Sequence, residues 1–391
     1  MSVKKNIATA RCNKSRGEGS ANGSAKPHKF VRFIELRIPV HACTLRCQYC
    51  YITHRSLFDS SVRPFRYSPQ YIRRVLSRQR LGGAAIINMC AEGETLLSSE
   101  VIELARELLE EGHYVMIVTN ATLTNRIEEL ANFPKEIIDR LFIKFSYHYM
   151  QLKEKGLLDK FFNNIRMMRD AGASFTLEVT PHDELIPLVE EMNQRAIKEL
   201  GALPHFTVAR DDRYAGRHLP LLTKMNRKEY RNFWGRFNSP LFDYKFKIFE
   251  QPRSEFCCAG DWSGIVEIAT GTWRQCYYNA SRPVDIFTDP DSPIPFLAIG
   301  HNCMSPHCWN GHTWLGLGSI PGMETPTYAE MRNRVCEDGS EWLNPTFKEL
   351  FSHRLEEAHI PYSLSRRIAT DLKVAPIAIA KRIRRLIFGS R

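Results

Sequence analysis

Short apolar runs of β-branched and aromatic residues alternate along the first half of the chain with longer stretches whose apolar positions recur at helical spacing. The predicted strands are Phe33–Pro39, Ala84–Cys90, Tyr114–Asn120, Leu141–Tyr147, Ser174–Thr180 and His205–Arg210. Predicted helices lie between them: Pro69 to about Arg80 behind the cap Ser68, Ser98–Gly112, Asn125–Ala131, Lys153–Ala171 and Pro187–Leu200. Six strand–helix units in succession imply a parallel sheet with right-handed crossovers, either doubly wound or curled into a barrel. In both cases a ligand site belongs at the carboxyl ends of the strands.

The pattern stops after about residue 238. Residues 251–323 are rich in Pro, Gly, Trp and Cys, with one predicted hairpin, Ile265–Ala269 and Thr272–Cys276, turning on Thr270-Gly271. Helical spacing returns over 326–391 and ends in a basic amphipathic segment beginning at Pro376. Residues 1–28 are Gly-, Ser-, Lys- and Asn-rich without apolar periodicity, which predicts a disordered tail. The resulting division is tail 1–28, strand–helix domain 29–250, cysteine-rich domain 251–325 and helical region 326–391.

Composition changes this picture little. With 43% hydrophobic and 25% charged residues the 391-residue chain reads as globular, and no apolar run is long enough to span a bilayer. The first twenty residues are basic but lack the apolar core of a secretory signal, so a cytoplasmic setting is expected. Eleven cysteines would not ordinarily pair as disulfides there and need another role. The net charge of +11 is concentrated at the two ends, including Lys4, Lys5, Lys381, Arg382, Arg384 and Arg385. No nucleic-acid recognition motif accompanies it, and no nucleic-acid partner is expected. The terminal basic segment, with Ile379, Ile383, Leu386 and Ile387 at helical spacing, could meet an anionic membrane surface or a partner, or simply pack on the body.

The cysteines carry the chemistry. Cys43, Cys47 and Cys50 stand as C-x3-C-x2-C directly after the first predicted strand. Three thiolates in one loop can hold a corner of an iron–sulfur cubane and leave one iron open. A zinc site needs four ligands, which His41 or His54 would have to complete. A Cys-x-x-Cys redox pair would leave Cys43 unused.

This spacing, with Tyr49 at the aromatic position of C-x3-C-x-aromatic-C, resembles the signature of the radical S-adenosylmethionine (SAM) superfamily. The resemblance implies a partial (β/α)6 TIM-like barrel and a [4Fe–4S] cluster whose open iron binds SAM. It further implies reductive cleavage of SAM to a 5′-deoxyadenosyl radical, fed by an external one-electron reductant such as flavodoxin or ferredoxin. CAEGETLL, after the second strand, resembles the family's G-G-E-P motif: Gly93 and Glu94 match, whereas Glu92 and Thr95 replace the first Gly and the Pro. VTNATLT resembles the T-N-G segment, placing Thr119 and Asn120 near SAM, and Ser146 falls where the family often contacts the ribose.

A second cysteine group, FCCAGDWSGIVEIATGTWRQC followed by GHNCMSPHC, resembles the opening of SPASM and twitch domains. The resemblance implies one auxiliary [4Fe–4S] cluster held by Cys257, Cys276, Cys303 and Cys308. Cys258 satisfies the spacing too, but Cys257 better fits the C-x-A-G opening; zinc is the competing metal. At the strand ends His148, His182, Asp183 and Asp211 are candidates for a catalytic base, each equally readable as a cap or loop residue. A small, sugar-like or anionic substrate undergoing oxidation or epimerisation is the favoured expectation, with a peptide or protein substrate as the alternative. An iron–sulfur or zinc protein without catalysis would leave the strand-end motifs unexplained.

Overall fold

The computed structural model describes residues 29–214, 219–277 and 282–388. The expected tail, with Cys12, lies outside them. Among the described residues nine strands form one sheet: β1 Arg32–Ile38, β2 Ala85–Ala91, β3 Tyr114–Thr119, β4 Leu141–Ser146, β5 Ser174–Val179, β6 His205–Phe206, β7 Ser263–Glu267, β8 Thr272–Arg274 and β9 Val284–Asp285. Their order is β6-β5-β4-β3-β2-β1-β7-β8-β9, and β1 to β7 are parallel throughout. Six consecutive units thus make a partial α/β barrel of the TIM type, as expected from the alternation.

Several elements are shorter or more broken than the periodicity predicts. The sixth strand pairs only through His205 and Phe206, and Arg210 instead bridges Leu221 across a loop. The first predicted helix divides into Pro69–Val75 and Arg78–Leu81, because Ser77 caps the second piece by accepting a hydrogen bond from the Arg80 N–H. The long helix over 153–171 divides into Tyr149–Glu154 and Leu158–Asp170 at Gly156, whose φ of 65° interrupts it.

The predicted hairpin forms, with Ile265 opposite Arg274 and Glu267 opposite Thr272. Its first strand also pairs in parallel with β1, Phe33 opposite Ser263 and Arg37 opposite Glu267. The cysteine-rich segment therefore extends the barrel sheet rather than standing apart from it.

Strand alternation sorts side chains into two layers. Outward residues such as Ile34, Leu36, Ile87, Met89, Val115 and Ile143 pack under the surrounding helices. The inward row begins with Phe33, Ile86, Met116 and Phe142, which pack against Trp314, Phe347 and Phe351 from the C-terminal region. One step further along each strand the inward row turns polar: Glu35 lies opposite Asn88, and Arg37 opposite Cys90. An apolar plug thus fills the bottom of the barrel and a charged layer lies beneath its mouth. Among the described residues no helix is long and apolar enough to cross a membrane.

Candidate active site

The loop after β1 carries the first three cysteines, and the turn after β2 holds it in place. Gly93 N–H donates to the Val40 carbonyl at 2.9 Å, and Glu94 N–H to the Ala42 carbonyl at 2.9 Å. The approach is so close that a Cβ on Gly93 would lie 1.9 Å from the Ala42 oxygen, so only glycine fits. Next to it, the buried Glu94 carboxylate accepts from Thr119 Oγ1 at 2.6 Å, Asn120 N–H at 2.7 Å and Leu96 N–H at 3.0 Å. Burial pushes its pKa up despite these three donors. Asn120 in turn donates to Thr44 Oγ1 at 3.0 Å and stands 3.6 Å from the Cys43 sulfur. The ends of β1, β2 and β3 are thereby locked to one another.

These contacts frame one cavity, whose walls include Cys43, Cys47, Cys50, Glu92, Gly93, Glu94, Thr119, Asn120, Ser146 and His148. Residues predicted from four separate strand ends converge there. Tyr49 is tied to the same wall through its hydroxyl, 2.6 Å from His148 Nδ1, and its ring lies 4.4 Å from that of His182. Burial lowers the pKa of His148 to about 4, with His182 adding to the effect. His182 is itself buried and its Nδ1 lies 3.0 Å from Glu184.

The two carboxylate candidates are committed elsewhere. Asp183 clips a loop by accepting from Thr223 Oγ1 and Lys224 N–H, both at 2.6 Å. Asp211 takes a two-point hydrogen bond from the Arg213 guanidinium and another from its N–H at 3.1 Å.

The thiol trio fits an iron–sulfur cluster by its donor chemistry. All three lie in a largely dry loop where burial raises their pKa, that of Cys47 to about 12. Such thiols resist ionisation until a metal takes the proton's place. Among the described residues no three His, Cys, Asp or Glu groups close on one point as a single ion requires. A cubane instead takes each thiolate at a separate iron.

The second group gathers on the inner side of the sheet extension. Cys257, Cys276, Cys303 and Cys308 all pack against the inner core, and the Cys257 thiol, already raised by burial, feels the other three. A backbone bridge between Cys257 and Gly300 ties the start of this segment to the Cys303 stretch. Cys258 points the other way, fully buried near Asp261. Cys336 lies apart, its sulfur 3.2 Å from the Leu200 carbonyl, and Cys90 faces the barrel interior.

Between the two thiol groups lies the charged layer, which the motifs did not single out. Glu35 accepts from Asn88 Nδ2 at 2.8 Å and is pushed toward its neutral form by burial. Glu178 accepts from the Arg332 guanidinium, with Lys144 Nζ at 3.6 Å. Lys245, from the helix Pro240–Ile248, feels Arg210, Glu178, Arg332 and Lys144, and burial lowers its pKa to about 7. His307 and His312 adjoin the same cations and are held neutral by burial. Three cations, Arg332, Lys144 and Lys245, thus surround Glu178, while Arg210 leans toward Asp212 at 3.8 Å. Nε and Nη2 of the fully buried Arg332 have no hydrogen-bond partner, nor has the buried His312 Nδ1. One signal for this layer was present in the strands. Glu35 and Lys144 each follow an apolar inward residue, Phe33 and Phe142, and Glu178 ends a row on β5 that is polar from Ser174 onward.

An α/β barrel with a cysteine-lined mouth defines the class of protein. Residues 38–184, less than half of the chain, match the family model described as the Radical SAM superfamily. That family uses a [4Fe–4S] cluster and SAM, and its members are enzymes. No curated protein matches the chain. Among solved structures it is similar to Streptococcus suis SuiB bound to S-adenosylmethionine, at 14% identity, with 68% of this chain and 67% of that one covered and a TM-score of 0.44. It is also similar to native anSMEcpe with bound AdoMet, at 15% identity, coverage 66% and 78%, TM-score 0.45. BtrN in complex with AdoMet and 2-DOIA is similar at 14% identity, coverage 72% and 92%, TM-score 0.30. Likenesses this loose say nothing about substrate.

Proposed function

We propose that the chain is a radical SAM enzyme that abstracts hydrogen from a small substrate bearing an anionic group, for oxidation or epimerisation. The cation-rich layer beneath the barrel mouth is the observation that carries the reading. Three cations, Lys144, Lys245 and Arg332, around the one charged carboxylate Glu178 leave positive charge uncompensated in a largely desolvated site, a costly arrangement that a bound carboxylate or phosphate relieves. The unpartnered nitrogens of Arg332 supply donors of the geometry such groups take in pairs.

In this reading Cys43, Cys47 and Cys50 hold the SAM-binding cluster, and Cys257, Cys276, Cys303 and Cys308 hold an auxiliary one. When bound, the first cluster and SAM supply one-electron cleavage to a 5′-deoxyadenosyl radical. The chain's own part is placement. Gly93 brings the second strand end against the cysteine loop, and the Glu94–Thr119–Asn120 bonds fix the wall on which SAM would lie. Tyr49 and His148 close the side toward β4 and keep water out. His148, hydrogen-bonded to Tyr49 and kept neutral by burial, presents an uncharged imidazole to a substrate at this wall.

Sulfate, whose charge is constant across this range, tests the anion site. Wild-type protein is expected to melt a few degrees higher in sulfate than in chloride, by more at pH 6 than at pH 8. Below about 7 Lys245 carries the proton that attracts the anion. Lys245→Met should abolish the pH dependence and most of the rise. It should also match or exceed the wild-type melting temperature without sulfate, since a buried unpaired charge is gone. An identical sulfate response in the variant refutes the assignment.

A further inference from the structure

The C-terminal segment forms one helix, Leu364–Phe388, much longer than the portion after Pro376 that stood out in the sequence. Two separate faces run along it. Thr370, Val374 and Ala378 are buried against the body, and Asp371 anchors the helix by accepting from the His301 N–H at 2.9 Å. Leu364, Ile368, Leu372, Ile379 and Ile383 are all more than half exposed. At 3.6 residues per turn these five fall on a stripe about 100° wide, centred roughly 130° round from the body-facing line. The packing that secures the helix therefore leaves its second apolar face uncovered.

We propose that this stripe docks the protein on an anionic lipid surface, with the helix lying in the plane of the headgroups. This rests on the exposed face and the charge beside it, and is independent of the reaction assigned to the barrel. Along the helix Lys and Arg outnumber acidic residues seven to one, and the single acidic residue is the Asp371 already engaged with His301. Lys381, Arg382, Arg384 and Arg385 crowd its last turns. An apolar stripe on a strongly basic helix is the composition of an interfacial helix. The stripe is aliphatic apart from Ser365 and Arg382 at its edges and spans about 28 Å of helix from Leu364 to Ile383, which suits a flat, deformable surface. A second copy of the chain would bring two equally basic helices together, and their like charges would oppose pairing.

Co-sedimentation of the full-length protein with vesicles tests the proposal, using phosphatidylcholine with and without one third phosphatidylserine. At low salt the wild type should partition at least about tenfold more to the anionic vesicles, and added salt should weaken binding. The double variant Ile368→Asn/Leu372→Asn should retain the wild-type melting temperature, since both side chains are exposed, and lose at least about tenfold in binding. Reversing the four terminal cations to Glu should abolish the preference for phosphatidylserine with the apolar stripe intact. Equal partitioning of wild type to both vesicle types, or undiminished binding by both variants, overturns the proposal. So does a dimer in sedimentation velocity that the apolar double variant dissolves, because a second copy would then be the occupant.

Discussion

Cys47→Ala protein, reconstituted anaerobically with iron and sulfide, is expected to lose SAM cleavage by at least about 100-fold, beyond the usual cost of disturbing a ligand's supporting shell. Cys47 is the most buried of the three loop thiols, at 5% exposure, and lines the same cavity as Glu94 and Asn120. No further thiol lines the cavity to replace it, and the one imidazole of the wall, His148, is engaged with Tyr49. Iron content should fall by about four per chain, one cubane's worth, leaving the auxiliary group loaded. Cys336→Ala serves as the control, since that thiol bonds the Leu200 carbonyl far from either group and its loss should change neither readout. Wild-type cleavage by Cys47→Ala would remove the loop from the chemistry.

The second large effect is expected at Gly93, which makes no direct contact with a reacting atom. An alanine there places Cβ 1.9 Å from the Ala42 oxygen and 2.7 Å from its carbonyl carbon, both backbone atoms that cannot turn aside. The strand end must retreat, losing the bonds to Val40 and Ala42 that seat the cysteine loop. Overpacking costs about 1–3 kcal/mol and each lost buried hydrogen bond about 0.5–1.5 kcal/mol. The melting temperature should fall by several degrees, and equilibrium dialysis should show SAM affinity reduced at least tenfold. A variant with the wild-type melting temperature and SAM affinity would show that this contact does not organise the site.

Much of the architecture was legible because the strands β1 to β4 are apolar on both faces near their starts. That leaves a signal which survives without knowledge of their neighbours. The shortening of β6 was not legible. His205 to Arg210 is apolar enough for a full strand, but beyond Phe206 no neighbouring backbone continues the ladder, and Arg210 turns instead to Leu221. The hairpin around Gly271 was local and readable, whereas its parallel pairing to β1 joins residues some 230 positions apart, which periodicity cannot report. Spacing could not separate Cys257 from Cys258, since adjacent residues satisfy it equally. The fold turns Cys257 toward Cys276, Cys303 and Cys308 and buries Cys258 beside Asp261.

The cavity at the barrel mouth followed from three strand-end motifs of ordinary strength, each placed correctly relative to the others. Asp183 and Asp211 looked equally suited to chemistry in the sequence, because a carboxylate's hydrogen-bond partners are invisible there. Their bonds to Thr223 and Arg213 are what distinguish them from His148, which faces the cavity. The cation layer combines a readable part with an unreadable one. Lys144 breaks the inward apolar phase that Phe142 begins on β4, while Lys245 and Arg332 arrive from helices whose packing no pattern announces.

The central claim is that the cysteine loop and the three strand ends beside it form a working SAM-cleaving site. Anaerobically reconstituted wild-type protein, reduced with dithionite in the presence of SAM, should yield 5′-deoxyadenosine and methionine in equal amounts, with iron bound at close to two cubanes per chain. Protein that binds zinc in place of iron, or that carries iron and releases no 5′-deoxyadenosine, would contradict it.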